Sequence, residues 1–153
     1  MSSVSSSPVC TSSSLGLLLR QVRDALWAAM EHELARAGHD LTFSQFVTVK
    51  KLATGTASVT DLARAAEVNP GAMTRLLDRL EARGLIVRQA DPSDRRALHI
   101  LLTEQGNAIW RDVERCGQRV TSLALQGMSD ADAQTLTRLL EQARNNLLSI
   151  SDA

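Results

Sequence analysis

Arginine supplies most of the positive charge in this chain, and two arginine pairs have a spacing suited to an extended anion. Two of the 17 basic residues are lysine, so 15 are arginine. Arg75 and Arg79 lie about one helical turn apart, and Arg95 and Arg96 are adjacent in a turn-rich segment. A guanidinium can bind phosphate oxygens, or O6 and N7 of guanine, through two parallel hydrogen bonds. These residues indicate nucleic-acid binding.

No catalytic or metal-binding motif accompanies these arginines. The sequence contains no glycine-rich phosphate loop, no HExxH motif and no nucleophile elbow. His32, His39 and His99 lack the spacing that would cluster metal ligands on one helix face. Cys10 and Cys116 are too few and too far apart for a zinc ribbon or a disulfide framework. We therefore expect no enzyme activity, no cofactor and no metal site.

The composition is typical of one globular domain. Of the 153 residues 44% are hydrophobic and only 3% are aromatic, with no tyrosine, so the core must be aliphatic. The 17 acidic residues balance the 17 basic ones, which excludes a uniformly positive surface but allows a local basic one. No run approaches the roughly 20 apolar residues of a membrane helix. We expect a cytoplasmic protein with a disordered serine-rich tail over residues 1–14 and no membrane segment.

The elements that must position the arginines are predicted from periodicity and helix caps. Thr42 and Gln45 form a capping box, Thr60 is a candidate N-cap, and Asn69 followed by Pro70 is typical of a helix start. The predicted helices span residues 15–37, 43–53, 61–66, 70–83, 104–126 and 129–150, and the predicted strands span 85–88 and 98–102. The fold class is thus mainly α with a small β-hairpin.

Helices three and four, followed by the hairpin, are typical of a winged helix-turn-helix. The apolar residues of the fourth helix fall on one face: Met73, Leu76, Leu77 and Leu80. The opposite face carries Gly71, Arg75, Asp78 and Ala82, with Ala72 and Arg79 beside it. Small residues at the helix start would allow close approach to base edges, and Arg75 lies one turn further on. The wing tip, with Arg95 and Arg96, suits a minor groove.

Helices 1, 5 and 6 carry apolar seams that indicate a role in association. Each seam repeats at spacings of three and four residues and exceeds what one small DNA-binding module would cover. Dimerisation through helices 1, 5 and 6 is therefore expected.

Several stretches of this sequence resemble the MarR family of bacterial transcription regulators. The wing sequence DPSDRRA at residues 91–97, with LTEQG at 102–106, is similar to that family's wing. The sequences VTDLA at 59–63 and TRLLDRLEARGLI at 74–86 are similar to its third helix and recognition helix. The resemblance extends over about residues 15–148.

The resemblance implies a triangular homodimer that binds a pseudo-palindromic operator in double-stranded DNA and usually represses transcription. The DNA-binding lobe would span residues 42–102, and the dimerisation lobe residues 15–38 and 104–150. By matched position, recognition-helix contacts come from Pro70 to Arg75, and Arg96 enters the minor groove with Asp94 positioning it. Gly71 and Ala72 depart from the pattern, since relatives often carry Ser or Thr there.

The candidate sites are therefore these. The DNA-contacting residues are Thr60, Pro70, Gly71, Ala72, Thr74, Arg75, Arg79, Asp94, Arg95 and Arg96. Arg64 and Arg88 would either contact phosphates or brace the wing. A small aromatic or phenolic effector, of the kind relatives bind between the lobes, would contact Trp27, Met30, His32 and Trp110, although bulky apolar side chains are more often core.

Two alternatives remain open. A winged-helix module could bind a protein partner without DNA, although an arginine-rich wing and helix favour DNA. A thiol-based redox-sensing repressor is the other. Some relatives sense peroxide through a cysteine oriented by tyrosine hydroxyls, whereas this chain has no tyrosine and Cys116 lies in an apolar seam. The controlled genes, for instance efflux or stress genes, do not follow from these residues.

Overall fold

The computed structural model describes residues 12–94 and 98–151. Within them the chain forms six helices and two strands, and their bounds are α1 Ser12–Arg36, α2 Phe43–Ala53, α3 Val59–Ala65, α4 Pro70–Ala82, β1 Ile86–Ala90, β2 Leu98–Leu102, α5 Glu104–Ala124 and α6 Asp130–Ser151. The two strands form an antiparallel hairpin in which Arg88 pairs with Ile100. The mainly α fold class with one β-hairpin is confirmed. No helix in the described ranges is both long and apolar enough to cross a membrane.

Local capping explains where α2 and α4 begin. The Thr42 side chain accepts from the Gln45 backbone N–H, and the Gln45 side chain accepts from the Thr42 backbone N–H, so the predicted capping box is confirmed. The Asn69 side chain accepts from the Ala72 N–H at 2.8 Å, and Pro70 occupies the first helical position. Both starts match the sequence prediction.

Two predicted helix starts were wrong. The N-cap of α3 is Ser58, not Thr60, because the Ser58 hydroxyl accepts from the Asp61 N–H at 3.1 Å and also bonds the Asp61 carboxylate at 2.7 Å. Thr60 therefore lies inside the first turn of α3. The first helix begins at Ser12 rather than at residue 15. The remainder of the predicted tail lies outside the described residues.

The winged helix-turn-helix is built around its own aliphatic core. Fully buried side chains from α3, α4 and the hairpin meet there, among them Leu62, Met73, Leu77, Leu80 and Ile100. An isolated bridge between Ala57 and Ile100 adds a third chain segment to the edge of the hairpin. Burying a side chain of this size contributes about 1.5–3 kcal/mol, so the recognition helix is held by its whole apolar face.

Gly106 allows the start of α5 to pack closely against this lobe. The Thr103 hydroxyl donates to the Gly84 carbonyl at 2.6 Å, and its backbone N–H donates to the Leu85 carbonyl at 3.0 Å. A Cβ atom at Gly106 would lie 2.1 Å from that same Leu85 oxygen. Only glycine therefore permits the first turn of α5 to pack on the end of α4.

A second core joins α1 to α5 and to the start of α2. Its buried members are Met30, Leu34, Leu41, Val113, Cys116 and Val120. By contrast, none of residues 130–150 in α6 is buried, and residues 14–26 of α1 are all exposed. The apolar seams of α1 and α6 are thus unsatisfied within a single chain.

Candidate nucleic-acid interface

The turn between α3 and α4 sets the angle of the recognition helix. Glu67 adopts a positive φ of 54°, and the Val68 N–H donates to the Ala63 carbonyl at 3.0 Å. Leu62 of α3 and Met73 of α4 are fully buried on either side of this turn. The backbone reversal and the apolar contact together fix α4 with its other face toward solvent.

That outward face of α4 carries the predicted contact residues. Arg75 and Arg79 are exposed, and in the described part of the chain neither guanidinium forms a hydrogen bond or ion pair. Gly71 is exposed and Ala72 is half-buried at the helix start. The Thr74 hydroxyl is exposed but donates to the Pro70 carbonyl of its own helix at 3.0 Å. Two unpaired cations and a small-residue helix start therefore lie on one open surface.

Thr60 and Arg64 lie on the neighbouring helix α3. Both are exposed. Within residues 12–94 and 98–151, Arg64 forms only a long ion pair with Asp61, at 3.7 Å, and 77% of its side chain is exposed. Such an exposed pair contributes little to stability. Arg64 is therefore available to an anion beside α4.

Arg88 is held differently from the arginines on α4. It extends from β1 to α4, where one terminal nitrogen donates to Asp78 Oδ1 at 2.7 Å and the other donates to Glu81 Oε2. Only 22% of its side chain is exposed. Of the two roles that the sequence left open, the contacts match a brace between wing and helix.

The base of the wing is organised by Asp91, which the sequence analysis did not single out. Its Oδ1 accepts from the Ser93 hydroxyl at 2.6 Å and the Ser93 N–H at 2.7 Å, and also from the Asp94 N–H at 3.3 Å. Its Oδ2 is hydrogen-bonded to His99 Nε2 at 2.7 Å. The Ser93 hydroxyl, and next the His99 ring, hold the pKa of Asp91 well below its usual range. Arg95 and Arg96, predicted at the tip, lie outside the described residues, and so does any pairing of Arg96 with Asp94.

A large cavity lies beside the second core, where α1, α2 and α5 meet. It has a volume of about 920 Å³ and is lined mainly by apolar side chains of α1, α2 and α5. All four aromatic residues of the chain line it: Trp27, Phe43, Phe46 and Trp110. The Trp27 ring packs edge-on against Phe43, with centroids 5.0 Å apart, and lies 5.7 Å from the Phe46 ring. We call this space the aromatic cavity.

The aromatic cavity includes some predicted effector contacts and omits one. Trp27, Met30 and Trp110 line it, whereas His32 is exposed and lies outside its lining. The sequence analysis did not include Phe43 and Phe46 of α2 among the effector contacts. They are the only phenylalanines of the chain, and this scarcity could have indicated them. Lys50 also lines the cavity, with Nζ 6.0 Å from the Phe46 ring centroid.

A partly buried ion pair joins α1 to α5 on the side away from the aromatic cavity. The side chain of Glu33 is 8% exposed and accepts from Arg119 Nε at 2.5 Å and from Arg36 at 3.1 Å. The hydrogen bond from Arg119 is the main reason that the pKa of Glu33 is lowered. Cys116 beside it is fully buried, and its thiol lies 3.5 Å from the Glu33 carbonyl. This is the buried position that the sequence predicted for Cys116.

Comparison with known families matches residues 41–98 to the MarR family. A MarR family protein from Bacillus stearothermophilus has the same fold with a TM-score of 0.77 and 26% identity, over 89% of this chain and 94% of that one. The transcriptional repressor CouR, solved bound to a 23-mer DNA duplex, gives a TM-score of 0.73 and 25% identity, over 85% and 92%. BpsR of Bordetella bronchiseptica, whose DNA binding is regulated by 6-hydroxynicotinic acid, gives 0.73 and 26%, over 90% and 98%.

The family match covers the helix-turn-helix and the first strand of the wing, and the solved structures extend the likeness to the helices on either side. The helix order, the hairpin and the capped recognition helix are the features that the sequence predicted for this family. Residues 41–98 of this chain therefore match the MarR family, and its fold is similar to that of winged helix-turn-helix proteins of that family.

Proposed function

We propose that two copies of this chain bind duplex DNA with sequence specificity and regulate transcription, as a repressor. The observation that carries this proposal is the outward face of α4, where Arg75 and Arg79 are exposed with no partner in the described residues. An exposed helix of this kind fits the major groove, and its arginines suit guanine and phosphate. CouR, a repressor with a related fold, binds a duplex.

The remaining predicted contacts extend this interface. Exposed Thr60 and Arg64 of α3 flank α4 and would contact the phosphate backbone. Arg95 and Arg96 of the wing would enter the adjacent minor groove, with Asp94 orienting Arg96, as the family resemblance implies. Residues 42–102 would form this DNA-binding lobe, working in the cytoplasm.

A homodimer would cover the apolar surface that a single chain leaves open. Fourteen large apolar residues of α1, α6 and the end of α5 with its following turn are exposed: Leu15, Leu17, Leu18, Leu19, Val22, Leu26, Leu123, Met128, Leu136, Leu139, Leu140, Leu147, Leu148 and Ile150. An apolar surface of this extent on a soluble domain marks an interface. Residues 15–38 and 104–150 would form the dimerisation lobe, which spaces two α4 helices for successive major grooves about 34 Å apart.

A small aromatic effector would bind in the aromatic cavity and release the DNA. The cavity concentrates all four aromatic side chains and contacts α1 and α5 of one lobe and α2 of the other. A ligand shifts an equilibrium only through different affinities for the two states. Filling a cavity between the lobes would favour a spacing of the two α4 helices that no longer matches the DNA. BpsR offers a precedent with 6-hydroxynicotinic acid.

The DNA-binding proposal is tested by an electrophoretic shift on the duplex upstream of the protein's own gene, repeated over a series of salt concentrations. We expect a retarded complex whose affinity falls steeply with salt, because neutralised phosphates release counterions. An affinity that does not change with salt concentration would count against phosphate contacts. Adding 6-hydroxynicotinic acid or benzoate, while following tryptophan fluorescence, tests the effector.

A second candidate function is a winged-helix module that binds protein. One observation favours it: Val87 and Leu98 are exposed apolar residues on the wing, at 38% and 49%. A Val87→Ser variant with unchanged DNA affinity would leave this surface available for a protein partner. The third alternative, a redox repressor, would need an oxidant to reach Cys116, which is fully buried, or to react with Cys10, which lies outside the described residues.

A further inference from the structure

The arginines and the carboxylates of α4 differ in whether they have a partner, and DNA binding alone does not require this difference. The helix carries Arg75 and Arg79 together with the carboxylates of Asp78 and Glu81. Within the described residues both arginines are unpaired, whereas both carboxylates are bound by Arg88. Arg88 comes from β1, so this pairing is not a property of the helix itself.

The geometry of the strand aims Arg88 at both carboxylates. Arg88 lies opposite Ile100, which is fully buried, so the strand holds the base of its side chain in place. Its two terminal nitrogens donate to different acceptors, one on Asp78 and one on Glu81. A guanidinium can bridge two acceptors in this way, whereas an ammonium is a single point charge.

Loss of this pairing would harm the surface that contacts DNA. Asp78 follows Arg75 by three residues, a spacing at which side chains on a helix meet, and it is 59% exposed. An unpaired Asp78 would attract the Arg75 guanidinium away from the groove. The two free carboxylates would also repel the phosphate backbone.

We propose that Arg88 is a positioning residue that masks Asp78 and Glu81, so that the arginines of α4 remain free for DNA. This inference rests on the proposed DNA binding. It differs from a phosphate contact by Arg88, because both ends of the guanidinium are engaged with carboxylates. It also differs from a purely mechanical brace, because the carboxylates themselves are the groups to be neutralised.

The test is a cycle of three variants: Arg88→Met, the double variant Asp78→Asn with Glu81→Gln, and the combination of all three. Affinity is measured by fluorescence anisotropy on duplexes that the parent protein selects from a random-sequence pool. We expect Arg88→Met to weaken binding about tenfold. The double variant should bind at least as tightly as the parent, and the triple variant should stay within about threefold of the double.

Other outcomes overturn the inference. If Arg88→Met weakens binding by the same factor in both backgrounds, Arg88 contacts phosphate directly. If the double variant is as weak as Arg88→Met, the pairing acts only as a brace. Should Arg88→Met fail to fold, the double and triple variants decide, and a loss of affinity in either rejects the masking role.

Two controls separate this inference from the function on which it rests. Light scattering should give each variant the mass of the parent protein, so that a change in DNA affinity does not come from a change in association. A parent protein that selects no duplex overturns the proposed function and the masking role together. A parent that binds DNA while the cycle fails overturns the masking role alone.

Discussion

Arg75 and Arg88 belong to the same lobe, but among the described residues only Arg88 is paired with carboxylates. An arginine that already binds two acceptors has few donors left for a ligand, since its five N–H groups have fixed directions. An exposed arginine without a partner retains all five. At the scale of single residues, the partners of each guanidinium therefore distinguish contact residues from positioning residues better than charge alone does.

Replacing Arg75 by alanine tests the contact role. The Arg75→Ala variant should lose on the order of 1–3 kcal/mol of binding free energy and should relax the preference at one base position. Competition among duplexes that differ at single positions measures both effects. Thermal unfolding should be nearly unchanged, because Arg75 is exposed. A variant that binds every duplex as the parent does would remove Arg75 from the interface.

The helices of this chain differ in how far local caps and packing against other elements hold them in place. The α4 helix has both kinds: a side-chain cap at Asn69 and an apolar face buried in the core of the winged lobe. The α1 and α5 helices are joined by their shared core and by the Glu33–Arg119 pair. The outward face of α4 can be displayed rigidly because its inward face is so completely buried.

A cavity beneath α4 should destabilise the lobe. Leu77 is fully buried, so Leu77→Ala should lower the free energy of unfolding by about 2–5 kcal/mol. Denaturant unfolding measures this change. Thr74→Ala on the exposed side of the same helix should change it by no more than about 0.5 kcal/mol. Equal effects of the two substitutions would contradict the packing described for α4.

The Glu33–Arg119 pair predicts a pH dependence of stability. Because Arg119 lowers the pKa of Glu33 in the folded chain, the pair stabilises the fold above the ordinary carboxyl value of 4.5. That contribution is lost as the pH falls through the lower pKa of the folded state. The stability gap between the parent and Glu33→Gln should therefore be widest at neutral pH and close in acid.

Denaturant unfolding at several pH values between 7 and 3 measures this gap. Glu31→Gln on the exposed side of α1 is the matched control, and we expect it to leave the gap small at every pH. A gap for Glu33→Gln that stays constant down to pH 3 would show that the carboxylate is not stabilised by its partners.

The sequence predicted the bounds of an element best where a local cap determines them. The bounds of α2 were confirmed because the Thr42 capping box leaves no alternative start. The start of α3 was misplaced because Ser58 and Thr60 are both good caps, and only the Asp61 contacts distinguish them. The pairing of Arg88 with α4 joins residues seven and ten positions apart across a turn, so no local pattern predicts it.

The aromatic cavity shows the same limit for sites. Trp27 and Trp110 were predicted from the resemblance, but Phe43 and Phe46 join them only because α2 packs against α5 and places both rings beside Trp27 of α1. Helical spacing relates residues along one helix and does not relate three helices to one another. The sequence therefore predicted part of the lining and could not predict its shape.

Across the whole molecule, the described part of a single chain leaves many large apolar residues of α1 and α6 exposed. The winged lobe has a buried core of its own, and α4 faces outward from it. The α6 helix has no buried residue in the described range 130–150. A lone chain would expose this apolar surface to water, which favours association.

Charging the α6 seam should separate the two copies. Leu140→Arg places a cation on an exposed apolar face that a partner would bury, so the dimer should dissociate and DNA affinity should fall. Gln142→Arg adds the same charge at a polar position of α6 and is the matched control. Light scattering gives the mass of each variant. A Leu140→Arg protein that remains a dimer would place the interface elsewhere.

In the proposed complex, two chains together hold one duplex through their α4 helices. Sedimentation of the protein with a labelled duplex that it has selected, at modest salt, measures the composition of the complex directly. We expect a complex of one duplex with two chains. A duplex that sediments alone beside monomeric protein would contradict it.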